Sequence, residues 1–414
     1  MNQMRWTKEG VGEKYVDIIV SLSAQSVALH GEKTALANYA EIPSTLKTQD
    51  AIAAAIEEVN REIKDVPGHS GEYMRVTMTA CACFLRILAG DDIPYRQRVK
   101  DIQQVDFNPI PQQNYAVLRE QLDKELADLG YRGTAEEKIN AFLQAGVLSA
   151  EKVTSTAKEL IAGMRTAALQ RVTSLPQDEG ITAVNGVTGV FWSGFSQYDG
   201  KNKGQLTFNL ERPWSVPTFA NVLSHEAYPG HQTFYCLWDV LYLAGKLPLE
   251  GAFYQINAPT NCLFEGGPEN GLDFLGWIAG DGEDMSVDPA TKKAYTLGRK
   301  FLDLQRMAQT QACYLHHVEG ASKEEAQAYM VNSKLLTEIE AANVVRFFTN
   351  PVQATYYPAY YYGKHIVRQA FHLYGPARRE EFFRELYTVP HTNSTFIKAV
   401  SAGTGSEFRP FDSI

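Results

Sequence analysis

The stretch LSHEAYPGHQTFY, residues 223–235, sets the strictest limit on how this chain folds. It starts like a helix carrying His225 and Glu226, then meets Pro229 and Gly230. Proline lacks an N–H and clashes with the carbonyl four residues back. Glycine tolerates backbone angles that other residues avoid. His225 and His231 are six positions apart. On a regular helix, six steps of about 100° turn the second side chain about 240° from the first, so the imidazoles face apart. Two ligands sharing a metal on an unbroken helix sit about four residues apart. The spacing therefore predicts that the backbone leaves the regular helix at Tyr228–Gly230, in a bulge that swings His231 back toward His225.

The residue types suit metal chemistry. Imidazoles are good zinc ligands, and a catalytic zinc site uses three protein ligands plus an open position. Glu226, beside the first histidine, is placed as a general base. A third ligand has to come from elsewhere. The segment NCLFEGGPENGLDFLGW carries Glu265, Glu269 and Asp273 at intervals of four, so all three can share one helical face. Glu250, the first acid after the motif, reads as a turn residue.

Composition narrows the alternatives. The net charge of −9 argues against a protein whose business is nucleic acid or an anionic membrane. No apolar run approaches the roughly 20 residues a membrane span needs; the nearest, FYCLWDVLYLAG, is interrupted by Asp239. The first twenty residues lack the continuous apolar stretch of a signal peptide. Cys81, Cys83, Cys236, Cys262 and Cys313 are odd in number and sparse, which predicts buried thiols rather than a disulfide framework. A cytoplasmic location is the expectation.

Helix signals dominate the pattern. Ile52, Ile56, Val59 and Ile63 fall on one stripe. Thr134 with Glu137 and Ser322 with Glu325 form capping boxes, with a break near Gly146 and a further helix from about Tyr295 to His317. Strand signals are few. GITAVNGVTGVFWSGFSQY suits short strands and turns, DGKNKG a turn, and GQLTFNL (204–210) one half-buried strand. The fold class read from this is mainly α with a small β-sheet. Residues 1–190 form a helical N-terminal half and residues 191–414 the half that bears the motif, packed as one body.

With these landmarks in place, the chain resembles the bacterial domain-of-unknown-function 885 family, whose members are regarded as zinc metallopeptidase-like. The resemblance rests on HEAYPGH preceded by GQLTFNL and a Trp/Pro turn, and covers roughly residues 190–375. It implies a zincin-like architecture with a cleft between helical halves, and one zinc ion held by His225, His231 and Glu265. The family's Glu-Gly-Trp-Ala-like stretch is here FEGGPENG, so Gly267 and Pro268 stand where an aromatic and a small residue are usual. That change predicts a later or more bent helix start and leaves Glu269 as the fallback ligand. His317 matches a family histidine, although Cys313 replaces the family's aspartate. In NPVQATYYPAYYYGKHIV, Pro351, Gln353, Ala354, Tyr360 and Gly363 match.

The resemblance implies a mechanism. Glu226 is the general base, Tyr360 with His317 stabilises a tetrahedral oxyanion, and the 204–210 strand, with Asn209 near its end, pairs with an extended peptide. A small peptide or peptide-like molecule is the expected substrate. Two alternatives stay open: a zinc-binding protein without peptidase activity, and a zinc amidohydrolase acting on a non-peptide amide.

Overall fold

The computed structural model describes residues 3–280 and 283–413. The chain opens with helix α1 (Val11–His30), strand β1 (Ala35–Asn38), and helices α2 (Gln49–Ile63) and α3 (Gly68–Leu88). The α2 stripe is buried as its period requires, with Ile52 and Ile63 fully so. The Thr48 side chain caps the helix by accepting from the Ala51 N–H. Helices α4 (Tyr95–Gln103), α5 (Gln112–Asp128), α6 (Ala135–Ala145) and α7 (Ala150–Arg171) follow. The break near Gly146 falls between the last two, and the Thr134–Glu137 capping box starts α6.

Strands β2 (Gly180–Val187), β3 (Gly194–Gly200) and β4 (Lys203–Asn209) form a sheet in the order β2-β4-β3. Lys201 and Asn202 both have positive φ, the geometry of a two-residue hairpin turn matched to strand twist. The 204–210 stretch was expected to be an open partner for a peptide. Instead β4 is the central strand, paired parallel to β2 and antiparallel to β3, so both its edges are taken.

The second half contains α8 (Val216–Glu226), α9 (His231–Leu243), β5 (Phe253–Gln255), α10 (Asn261–Glu269), α11 (Gly271–Leu275) and α12 (Pro289–His317). It finishes with α13 (Lys323–Asn332), α14 (Glu338–Phe348), α15 (Ala359–Tyr374), α16 (Arg379–Thr388) and α17 (Asn393–Thr404). The Ser322–Glu325 capping box begins α13. The protein is thus mainly helical with a small sheet. No helix among the described residues is long and apolar enough to cross a membrane.

Two apolar cores hold these elements. The smaller is built from α1, α2 and α3 and is closed by Leu249, Phe253 and Val352. The larger runs from Ala37 through the sheet to Phe408. The antiparallel β1–β5 ladder ties the first helices to the segment just before α10. Within the larger core, α12 packs against α5, α8 and α13, and α10 lies directly on α15. All five cysteines are free and buried, as their sparse spacing predicted.

Candidate metal centre

The helix does not bulge at Tyr228–Gly230; it ends. Helix α8 stops at Glu226 and α9 starts at His231, with a cis Tyr228–Pro229 peptide between them. Side chains hold this turn from two sides. Tyr387 of α16 donates to the Pro229 carbonyl at 2.7 Å. Tyr228 donates to the buried Glu179 at 2.7 Å. Gly230 is required for close approach, because a Cβ there would lie 1.7 Å from the His225 carbonyl oxygen. The break turns His231 back, and the two imidazoles meet edge to face with centroids 4.7 Å apart.

Glu265 joins them from α10. Its Oε2 lies 3.2 Å from His225 Nε2, and its Oε1 lies 3.6 Å from His231 Nε2. Gly267 and Pro268 do not delay the helix, contrary to the sequence expectation. Helix α10 begins at Asn261, and Pro268 falls in its last turn. The glycines serve packing: a Cβ on Gly266 would come within 2.2 Å of the Gly363 carbonyl oxygen, and one on Gly363 within 2.0 Å of the Cys262 carbonyl oxygen. Removing both side chains lets α10 seat on α15 and fixes the depth of Glu265.

The three acids spaced by four take different roles. Glu265 faces the histidines. Glu269 lies one turn on, with Oε1 3.7 Å from His225 Nδ1 and 3.1 Å from Arg306 Nη2. It stands behind His225 rather than within the triad, where an outer carboxylate can orient the ring of a candidate ligand. Asp273 belongs to α11 and pairs with the buried Arg299 at 3.0 Å.

One ligand atom from each of His225, His231 and Glu265 lies within 4.8 Å of the others, and all three residues are buried. His231 Nδ1 is buried without a hydrogen-bond partner. An unpaired buried polar atom is costly, and a cation beside it relieves that cost. Two imidazoles and a carboxylate form a donor set of the catalytic zinc type. The residues present fit such an ion.

The electrostatics follow from enclosure. Burial opposes a charged His225 ring, but the hydrogen bond and charge of Glu265 overcome it and push His225 up to about 9. Burial pushes His231 down to about 4, against the pull of Glu265. Burial also pushes Glu226 up to about 7; His225 draws it down, while Glu265 and Glu269 raise it. The edge strand β3 closes over Glu226: a Cβ on Gly194 would stand 3.0 Å from Glu226 Oε1, and the nearby Ser196 backbone favours the charged carboxylate against its burial.

Tyr360 is at the centre, as the sequence reading placed it. Its ring stacks near His225 at 6.2 Å, and the Arg306 guanidinium sits 4.5 Å from its centroid. Two neighbours escaped the sequence reading. Tyr356 donates to Glu265 Oε1, and Tyr254 reaches the same oxygen at 3.3 Å. Tyr356 stood in view within the run of tyrosines at 356–362, but a run does not show which ring faces inward. Tyr254 in FYQ and Arg306 in mid-helix carried no local signal.

Two candidates are placed elsewhere. His317 lies eleven residues beyond Arg306 on α12, about 16 Å along the axis at 1.5 Å per residue. Its ring stacks on Tyr95 with centroids 4.0 Å apart, and its Nε2 contacts the Phe348 carbonyl at 2.6 Å. It is a packing histidine, not an oxyanion donor. Asn209 is fully buried and donates to the Val190 and Trp192 carbonyls at 2.9 and 3.3 Å. It shapes the loop between β2 and β3 and has no face for a substrate.

No family model and no curated protein matches the chain. The architecture does recur among solved structures at low sequence identity, which establishes likeness of fold. One is described as "the putative lipoprotein from Colwellia psychrerythraea", at TM-score 0.60 and 17% identity, covering 88% of this chain and 65% of that one. Another, described as a "putative lipoprotein of unknown function from Shewanella oneidensis", aligns at TM-score 0.51 and 14% identity, covering 86% of this chain and 68% of that one. The chain thus spans about two thirds of each neighbour's length.

Proposed function

We propose that this chain is a zinc-dependent hydrolase, a zincin-like peptidase of the domain-of-unknown-function 885 type, acting on small peptides or peptide-like amides. The observation that carries the reading is the convergence of His225, His231 and Glu265 from three helices, with Glu226 alongside. One zinc ion held by these residues supplies Lewis-acid polarisation of an amide carbonyl and acidifies a water molecule.

The chain's own residues supply the rest. Glu226 takes a proton from the attacking water and delivers it to the leaving amine. Its enclosure raises its pKa toward neutrality, which suits a group that must both accept and release a proton. Glu269 orients His225 through Nδ1, and Tyr356 and Tyr254 fix the Glu265 carboxylate. Tyr360 stands where a phenol can donate to a developing oxyanion. Strand addition moves from β4 to β3, which has one unpaired edge and reaches Glu226. The exposure of His225 and His231 side chains is only 10%, which favours small substrates over folded proteins.

For compartment, the five free cysteines support a cytoplasmic location. The two structural neighbours are instead described as lipoproteins, which would favour a lipid-anchored location. Cell fractionation separates these readings.

The decisive test combines elemental analysis with a peptide-library assay. Wild type should carry one zinc per chain and cleave short peptides. Glu226→Gln should keep the zinc and lose hydrolysis, and His231→Ala should lose the zinc. Full activity in Glu226→Gln would end the proposed mechanism. Stoichiometric zinc with no cleavage of peptides or amides by wild type would leave only a zinc-binding protein.

A further inference from the structure

Beside the metal centre, α5, α12 and α15 enclose a second cavity of about 320 Å³. Its charged wall is part of a network behind Glu269. Arg306 pairs with Glu269, Lys364 with Glu269 and Asp303, and Arg299 with Asp273 and Asp303. Arg368 adds a fourth cation to three carboxylates. It lines the cavity and makes no hydrogen bond or ion pair with a described residue. The cavity wall thus carries three cations, Arg306, Lys364 and Arg368, beside one carboxylate, Asp303, on which Arg368 also acts, so the wall is net positive.

A second observation points to the same place. Tyr361 lines this cavity and is 2% exposed, and its hydroxyl is buried with no hydrogen-bond partner. A buried hydroxyl without a partner carries a desolvation cost that a bound acceptor removes. Beside it, the His365 ring contacts Tyr361 edge on, with centroids 4.6 Å apart. The facing wall is apolar, made by Val117 and Leu118 of α5 and Met307 of α12. A cation, an unsatisfied donor and an apolar wall together describe the chemistry of a carboxylate with a hydrocarbon tail.

We infer that this cavity binds a small apolar carboxylate, whose oxygens take hydrogen bonds from Arg368 and the Tyr361 hydroxyl while its tail lies against Val117, Leu118 and Met307. The site is separate from the zinc triad and does not depend on hydrolysis. Arg306, which lines the cavity and also holds Glu269, joins the two sites physically.

Isothermal titration with hexanoate, hexanamide and inorganic phosphate tests this on the full chain. Hexanoate should bind, and hexanamide and phosphate should bind at least about tenfold more weakly, because one lacks the charge and the other the tail. Arg368→Gln and Tyr361→Phe should each weaken hexanoate by roughly tenfold or more. Both variants lie outside the metal centre, and circular dichroism checks that each is folded. His231→Ala should bind hexanoate as wild type does, whatever becomes of zinc or peptide cleavage. Equal binding of hexanoate and hexanamide, phosphate as tight as hexanoate, unchanged binding in both cavity variants, or loss of binding in His231→Ala would each overturn the assignment.

Discussion

Two segments of this protein combine glycine with proline beside a candidate metal ligand, and they behave in opposite ways. In Tyr228–Pro229–Gly230 the helix ends, and His231 starts a new one. In Gly266–Gly267–Pro268 the helix carries on through Glu269. Local propensity disfavours helix in both. The difference lies in what each segment packs against. The first is drawn across the end of α8, where Gly230 abuts the His225 carbonyl and Tyr387 holds the Pro229 carbonyl. The second lies flat on α15, where glycine meets glycine, and the Asn270 side chain donates to the Gly266 and Lys364 carbonyls at 2.7 and 3.0 Å. One pair of residues makes a break and the other makes a contact surface. The comparison shows that such residues mark positions of backbone crowding, which a helix break and a helix crossing share.

The contrast can be broken by substitution. The largest effect is expected at the α10–α15 crossing. Gly266→Val should destabilise the fold by about 3 kcal/mol or more through overpacking, read from urea unfolding. A stable variant would mean that α10 can slide on α15. Gly230→Ala should cost about 2 kcal/mol and lower zinc affinity about a hundredfold, since the turn must move off the His225 carbonyl. Zinc titration against a competing chelator measures this, and unchanged affinity would show that the turn is not what aims His231.

Glu269→Gln should weaken zinc binding by roughly 10–100-fold without altering the helix that carries Glu265. Wild-type affinity would remove Glu269 from the support of His225. The effect confined to acid pH belongs to the ion network behind α10. Burial works against the Asp303 carboxylate, but Lys364 and Arg299 overcome it and hold the group down at about 2. Its folded pKa is thus below its unfolded value, so its stabilisation is complete above about pH 4 and fades as pH falls toward 2. Wild type should lose about 2 kcal/mol across that window beyond what Asp303→Asn loses. Parallel acid-unfolding curves for the two proteins would contradict this.

Much of the local structure was legible because its causes are local. Thr134 with Glu137 and Ser322 with Glu325 start helices because side chain and backbone satisfy each other within one turn. The α2 stripe is buried because its period matches the helix. The centre itself was less legible. Asn209 ends an alternating strand, and alternation cannot say whether that strand lies at an edge or between two partners. His317 lies on the same long helix as Arg306, and only the helix rise separates a residue at the centre from one about 16 Å away. Tyr356 and Tyr254 reach Glu265 from positions 102 residues apart, and no short window contains both.

By itself the sequence determined that the backbone must leave the regular helix between His225 and His231, that two imidazoles and a glutamate lie in one short segment, and that acids recur at every fourth position after it. These follow from covalent geometry and helical period, which act over a few residues. Tertiary structure decided which acid faces the histidines, which one stands behind them, and which tyrosines hold the carboxylate. Those choices depend on how deeply α10 sits against α15 and on where α12 places Arg306. Contacts between distant residues set both, through packing and charge pairing that no local pattern encodes.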